Sequence, residues 1–407
     1  MGVRPAAASS RLLERASALA ALAAALEEAL AGEGRLVVVA GEAGVGKTSL
    51  VRRFAGEHAG GVRTLWAACD GLFTPEPLAP LHDLGLAPDG PRREVFARTL
   101  EALAGEETLA VLEDVHWADE ATLDLLLYLT RRLGRTRTLL LATYRDDELG
   151  ADHPLRVVLA EVPEARRVVL RPLSIEGVRT LAAGSALDPV ELHRLTGGNP
   201  FYVTEVLATG GTGVPGSVRD AVLARVSGLG EDARTLVEAV AVAGSELPLL
   251  ETVLDAPPRG LDDCLAAGVL HEERGGVAFR HELARQAVEE SLDPVRRAEL
   301  HARALRALAG SADPARLAHH AEAAGDAEAV HAHATAAAEA AAALGAHREA
   351  AEQYARALRF AGALPPSRVA YLLQCRAYEC YLTDRPDEAL AAQRAALELH
   401  RASGDRR

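Results

Sequence analysis

The residues with the clearest chemistry are GEAGVGKT, Gly41–Thr48, which satisfy G-x-x-x-x-G-K-[ST] at every defined position. Glycines there let backbone N–H groups turn inward and cradle phosphates, and a helix starting at the lysine adds positive potential. Lys47 then reaches the β- and γ-phosphates, and the Thr48 hydroxyl ligates Mg²⁺. The predicted binding set is Gly41, Glu42, Ala43, Gly44, Val45, Gly46, Lys47, Thr48 and Ser49, for ATP or ADP with Mg²⁺. One compositional fact singles out the lysine. The chain has 44 basic residues, and all but Lys47 are arginine. A chain that uses arginine wherever either cation serves keeps lysine where a compact ammonium is needed and a planar fork does not fit.

A partner for this loop lies about 65 residues further on. TLAVLEDVHWAD, Thr108–Asp119, is an apolar run ending in acids, the form of a strand whose tip holds a hydrated Mg²⁺ opposite a P-loop. Glu113 and Asp114 are the candidate catalytic acids and, with Thr48, the candidate Mg²⁺ ligands. P-loop ATPases more commonly place a metal-binding aspartate first and a water-polarising glutamate second, so the reverse order here predicts slow hydrolysis. A third run, LLLATYRDDEL (Leu139–Leu149), places Arg145 at a strand tip. From there it can sense a γ-phosphate; a surface ion pair with Asp146 or Asp147 is the alternative. GGNPFYVTEVL (Gly197–Leu207) reads as a turn with Pro200 in the first turn of an amphipathic helix. His319, His320, His331 and His333 are spaced oddly for metal ligation and read as packed or solvated helix residues. No Ser–His–Asp or Cys–His set stands out.

These motifs require a scaffold, and the hydrophobic pattern supplies one. An amphipathic helix over Arg11–Gly32 leads into the β-branched run Leu36–Ala40, a buried strand. Strands over Thr64–Ala68, Thr108–Leu112 and Thr138–Thr143 alternate with helices from Lys47, over Arg92–Leu103 and over Ala121–Leu133. Such alternation implies a parallel sheet with helices on both faces. Residues 9–150 therefore read as an α/β P-loop nucleotide-binding domain. Val168–Leu170 is the last strand candidate, and residues 151–213, with helices near Ile175–Ala183 and Val190–Thr196, read as a helical lid ending at the glycine-rich TGGTGVPGS. Residues 214–310 are helices followed by a hairpin signal around Arg274–Gly275–Gly276, the pattern of a winged helix. Residues 311–407 are alanine-rich helix. Within them EAAEQYARAL (Glu349–Leu358) recurs loosely as EALAAQRAAL (Glu388–Leu397), which suggests TPR-like repeats that stop at GDRR as though the array had been cut.

Bulk properties exclude several classes. Net charge is −14 with acids and arginines interspersed, whereas phosphate-backbone binding needs a clustered basic surface. Nucleic acid is therefore not expected as a direct partner. Cys69, Cys264, Cys375 and Cys380 have neither zinc nor disulfide spacing, and read as thiols in a reducing cytoplasm. The Ala/Leu stretch Ala16–Ala31 is interrupted by Glu27 and Glu28, and no segment has the uncharged span of ~20 residues a membrane helix needs. A cytoplasmic location follows as the expectation.

Taken together, the motifs resemble the STAND class of signalling ATPases. More narrowly, they resemble the large ATP-binding LuxR-type transcriptional regulators of actinobacteria, whose ATPase domain is of the Orc1-like AAA kind. The resemblance runs through GEAGVGKT, CDGLFTPEPLAPLHD (Cys69–Asp83), VLEDVHWADEATLDLL, LATYRDDEL, GGNPFYVTEVL, FRHELARQAV (Phe279–Val288) and LAHHAEAAGDAEAV (Leu317–Val330), nearly the whole chain. It implies that Pro200 touches adenine, that Arg145 is the sensor arginine, and that His281 holds the β-phosphate of bound ADP. It further implies an ATP/ADP-dependent switch with an effector on the helical repeats and self-assembly in the ATP state. Two departures stand out. LLERASAL lacks the glycine that usually precedes the Glu-Arg pair, and the C-terminal DNA-reading helix-turn-helix of full-length members is absent from these residues. An AAA-type remodelling ATPase would need clustered basic residues or an arginine finger acting in trans. A P-loop small-molecule kinase would need an acceptor pocket and a base, and a pure scaffold would have no use for the P-loop.

Overall fold

The computed structural model describes residues 12–402 other than 59, 70, 72–76, 186, 209–217, 274, 275, 280, 311 and 312. In chain order the first elements are α1 (Ala16–Leu30), β1 (Arg35–Ala40), α2 (Lys47–His58), β2 (Arg63–Ala68), α3 (Pro80–Asp83), α4 (Arg92–Ala104) and β3 (Thr108–Glu113). They continue with α5 (Glu120–Thr130), β4 (Thr138–Tyr144), α6 (Pro154–Glu161), β5 (Arg166–Val169), α7 (Ile175–Leu181), α8 (Pro189–Thr196) and α9 (Pro200–Ala208). Then come α10 (Val218–Ser227), α11 (Glu231–Ala243), α12 (Leu247–Leu254), α13 (Leu261–Ala266), β6 (Leu270–Glu273) and β7 (Gly276–Phe279). The chain ends in α14 (Glu282–Ser291), α15 (Pro294–Leu308), α16 (Pro314–Ala324), α17 (Ala327–Ala343), α18 (His347–Arg359), α19 (Pro366–Leu382) and α20 (Pro386–Ala402). These elements form two compact units, one of residues 1–68, 97–116 and 127–221 and the other of residues 69–96, 117–126 and 222–407.

The first unit contains a five-stranded sheet in the order β2-β3-β4-β1-β5, with every pairing parallel. All seven residues of β4 are buried, as a strand covered on both faces requires, and its continuous apolar run TLLLATY reflects that. β2, at one edge, is largely exposed. α1 presents Leu22, Ala25, Leu26 and Ala29 to the sheet, a helical spacing of three and four. Leu50 and Phe54 of α2 join the same core with Val37, Val39, Leu109 and Leu141. Ala40 pairs with Tyr144 and Leu112 with Ala142, so β1, β3 and β4 end at the same edge of the sheet. That edge is where parallel α/β sheets bind ligands. The expected strands all form, with ends displaced by a residue or two. β3 runs one residue further than expected, which makes Glu113 its last residue, and α1 is shorter than Arg11–Gly32.

In the second unit the expected hairpin is present. β6 and β7 pair antiparallel, Leu270 with Phe279 and Glu273 with Gly276; Arg274 and Gly275 of its turn lie outside the described residues. From α15 to α20 each helix packs on the next. Ala318, Ala321, Ala334, Ala338 and Ala357 are buried between α16, α17 and α18, where small side chains let helix backbones approach closely. No helix among the described residues is long and apolar enough to cross a membrane.

The N-termini of α5 and α18 bond reciprocally. The Glu120 N–H donates to Glu349 Oε1 (3.0 Å) and the Arg348 N–H donates to Glu120 Oε2 (3.2 Å). Each acid thus satisfies an N–H that its neighbour's first helical turn leaves unpaired. Asp119, fully buried, caps α5 by accepting the Thr122 N–H (2.9 Å) and also accepts the Leu78 N–H (3.1 Å). Glu349 Oε2 and Gln353 Nε2 are buried with no hydrogen-bond partner among the described residues. Both residues border a cavity of about 60 Å³, room enough for water to serve them.

Burial, reinforced by the charge of Asp119, pushes the Glu349 carboxyl up to about 7 from an ordinary 4.5. The folded chain holds this proton more tightly than the unfolded one. The contribution of Glu349 to stability therefore falls as pH rises from about 4.5 to about 7 and stays lost above that. Glu349→Gln keeps an acceptor for Glu120 and carries no charge. Relative to the unaltered chain it is expected to raise Tm by about 2–4 °C at pH 8 and far less at pH 5. Calorimetric scans at the two pH values check this; equal shifts at both would show that the proton plays no part.

Candidate functional site

The P-loop closes around its own lysine. Lys47, first residue of α2 and 6% exposed, donates from Nζ to the Gly41 carbonyl (2.7 Å) and the Glu42 carbonyl (3.0 Å). Burial lowers the pKa of the ammonium, and the Asp114 charge opposes that. Two side chains far away in sequence hold the loop in place. Arg15, 5% exposed, donates from Nη2 to the Val45 carbonyl (3.0 Å) and to the Arg171 carbonyl (2.9 Å). Asn199 donates from Nδ2 to the Ala43 carbonyl and to Glu42 Oε1, both at 2.8 Å, while its Oδ1 accepts the Phe201 N–H (3.1 Å). The contact with this segment is close enough to dictate glycine. Gly44 has φ 77°, and a Cβ on it would lie 2.8 Å from Phe201 Cβ. Gly198, at φ 76°, would place a Cβ 2.2 Å from the Leu173 carbonyl oxygen. Pro200 starts α9 beside these contacts.

The acids sit at the tip of β3. Glu113 is 6% exposed and accepts from the Trp66 indole N–H (3.0 Å). Burial pushes its carboxyl up, against the pull of the nearby Thr48 hydroxyl. Asp114 has φ 53°, a left-handed conformation that aspartate tolerates better than most residues. Its N–H donates to the Thr143 hydroxyl on β4 (2.9 Å), which ties the turn to the neighbouring strand. Arg145, 5% exposed, pairs with Glu148. The expected alternative of a surface pair with Asp146 or Asp147 is corrected in two respects: the guanidinium is buried, and its acid lies three residues on.

His116 joins this group. Its Nδ1 is 3.9 Å from Asp114 Oδ1 and its Nε2 is 3.4 Å from Glu148 Oε2. Burial, with the charges of Arg145 and Lys47 adding to it, pushes its imidazole down to about 3, so the ring is neutral at physiological pH. The first unit thus brings together Gly41–Thr48, Glu113, Asp114, Arg145 and Pro200. His281 belongs to the second unit, where it occupies the N-cap position of α14. Its carbonyl accepts the Ala284 and Arg285 N–H groups, but its imidazole makes no capping hydrogen bond.

A hard divalent cation suits the acids. Glu113 Oε1 is buried with no hydrogen-bond partner among the described residues, and Thr48, Glu113 and Asp114 offer the oxygen donors that Mg²⁺ takes. The residues fit the ion, which when bound would offset charge on the β- and γ-phosphates. Arg15, Asn199, Trp66 and His116 were not singled out by motif. Asn199 lies inside GGNPF, His116 inside EDVHWAD and Arg15 in the Glu-Arg pair of LLERASAL, which are the hints the sequence carries.

Residues 11–142 match the family model of the AAA ATPase domain, and this part of the chain is an AAA-type P-loop ATPase domain. An uncharacterized protein of Rhizobium meliloti is 29% identical over 267 residues, covering 56% of this chain and 26% of the relative. Among solved structures, a Signal Transduction ATPase with Numerous Domains (STAND) protein with a tetratricopeptide repeat sensor, from Pyrococcus horikoshii, matches with TM-score 0.52. It is 17% identical, and the match covers 93% of this chain and 64% of that protein. Cdc6p from Pyrobaculum aerophilum matches with TM-score 0.41 and 15% identity over 71% of this chain and 98% of that one. The chain therefore spans about a quarter of the curated relative and less than two thirds of the STAND protein. The likeness to the STAND protein is one of fold.

Two substitutions test the loop. Lys47→Ala is expected to abolish ATP and ADP binding in titration calorimetry. Asn199→Ala removes the donors to Ala43 and Glu42 and the acceptor for Phe201, about 1–2 kcal/mol, and is expected to weaken ATP binding roughly tenfold. Unchanged affinity in Asn199→Ala would show that the GGNPF segment does not shape the phosphate site.

Proposed function

We propose that this chain is an ATP/ADP-dependent signalling switch, the nucleotide-binding and sensor part of a LuxR-type transcriptional regulator. The observation that carries this reading is the reciprocal bond between Glu120 and the Arg348–Glu349 turn. A few residues after the acids of β3, the chain is fastened to a helix of the α15–α20 array. An effector that moves the array thereby has a short covalent route to the nucleotide. In this reading residues 9–150 bind nucleotide, 151–213 form the lid, 214–310 a winged helix, and 311–407 TPR-like repeats that receive the effector. Thr48, Glu113 and Asp114 hold Mg²⁺, one of the two acids polarises water, Arg145 meets the γ-phosphate and Pro200 packs on adenine. ADP keeps the resting state, ATP favours self-assembly, and this part of the chain binds no DNA itself. Such a switch requires that the two states differ in nucleotide affinity.

His281 is the residue assigned to the β-phosphate of ADP. The resemblance of FRHEL to the family motif supports this role, and a neutral or charged imidazole can donate to phosphate. His281→Ala is expected to weaken ADP binding about tenfold and leave ATP binding nearly unchanged, which shifts the population toward the ATP form. Equal weakening of both nucleotides, measured by calorimetry, would make the residue structural. Turnover is expected well below the ~10 s⁻¹ enzyme median, because Glu113 and Asp114 stand in the less common order. Phosphate release at tens per second would instead mark a turnover enzyme, and native mass spectrometry of the purified chain should find ADP retained.

A further inference from the structure

We propose that His301, His319 and His320 form a binding site for a divalent transition-metal ion of the zinc type. His301 lies on α15 and the other two on α16, and their ligating nitrogens all fall within 4.8 Å of one another. His301 and His320 are 2% and 0% exposed, and His319 is half-buried. In sequence the adjacent pair His319–His320 reads as ordinary helix residues; the fold adds His301 from the preceding helix.

The geometry lies close to what a metal needs. His301 Nδ1 is 2.9 Å from His320 Nδ1. Tetrahedral zinc with bonds of about 2.0–2.1 Å separates its nitrogen ligands by roughly 3.3 Å, so small ring rotations bring all three into range. His301 then has its other nitrogen turned outward. Nε2 lies 3.8 Å from Glu289 Oε1, and Glu289 is itself held by Arg285. At that distance the carboxylate does not yet hydrogen-bond the ring, but a shift of under about 1 Å would let it accept the Nε2 proton, as carboxylates behind metal-binding histidines do. Burial keeps all three rings neutral, at about 4 for His301, about 3 for His319 and about 2 for His320, and the neutral ring is the ligating form.

Donor chemistry distinguishes this site from the phosphate site. Three imidazoles with no thiolate suit Zn²⁺, Ni²⁺ or Cu²⁺, whereas Mg²⁺ prefers the oxygens of Thr48, Glu113 and Asp114. The ion would clamp α15 to α16, where the helices that follow the hairpin give way to the repeats.

The test uses the untagged full chain, stripped with chelator, with excess Mg²⁺ present to occupy the phosphate site. Co²⁺ is the probe. The expected result is one equivalent bound, with the visible absorption of a four-coordinate ion and no thiolate charge-transfer band. Zn²⁺ should displace it, and Tm should rise with either metal. His319→Gln, at a half-buried position, and His320→Gln should each weaken Co²⁺ binding at least tenfold while circular dichroism stays unchanged. If His320→Gln does not fold, His319→Gln alone decides. No stoichiometric uptake, or uptake of equal affinity in the folded variants, overturns the site.

Discussion

A single buried ammonium constrains this fold. Lys47 is held out of water by the carbonyls of the loop that precedes it. A buried cation is tolerable only when its hydrogen bonds are met and opposite charge is near. The Gly41 and Glu42 carbonyls meet the first condition and the Asp114 charge the second. For those carbonyls to point inward the loop must bend sharply, hence the glycines; for the bend to persist its remaining carbonyls need donors. Arg15 and Asn199 are those donors. The loop is therefore shaped by contacts that arrive from both flanks of the sheet-forming segment.

The same economy governs the acids. Glu113 is pulled inward by Trp66 and by proximity to Thr48, whereas Asp114 turns through a left-handed conformation anchored on Thr143. One backbone step thus separates two carboxylates into different surroundings. His116 stays neutral between Asp114 and Glu148 because burial and the cations Arg145 and Lys47 outweigh those acids. It adds a polar ring near the phosphate loop without adding positive charge.

What could be read beforehand follows from the range of each interaction. Strands such as Leu36–Ala40 and Thr138–Thr143 announce themselves because a strand buried on both faces must be apolar throughout, a local property. The P-loop is legible for the same reason: its conformation demands glycine at fixed short spacings. Arg15 and Asn199 fall inside segments of the resemblance, but their partners could not be read, since a side chain that donates to a backbone carbonyl demands nothing of the residue it meets. The trio of His301, His319 and His320 was hidden by the gap between two helices, and the pairing of Glu120 with Glu349 by more than two hundred intervening residues. Nor does any local signal reveal that residues 69–96 and 117–126 belong with the later chain.

The clasp on the phosphate loop also imposes an order in time. Arg15 leaves the ribosome early, yet the carbonyl of Arg171 that shares its guanidinium follows 156 residues later, and Asn199 later still. At a synthesis rate of roughly 5–20 residues per second, that delay is on the order of ten to forty seconds. For most of that interval GEAGVGKT exists as a nascent segment without its clasp. A chain growing on the ribosome thus carries a complete phosphate-binding sequence before Asn199, which braces the Ala43 carbonyl, has emerged. The braced form of the loop is therefore available only after residues distant in sequence have been made.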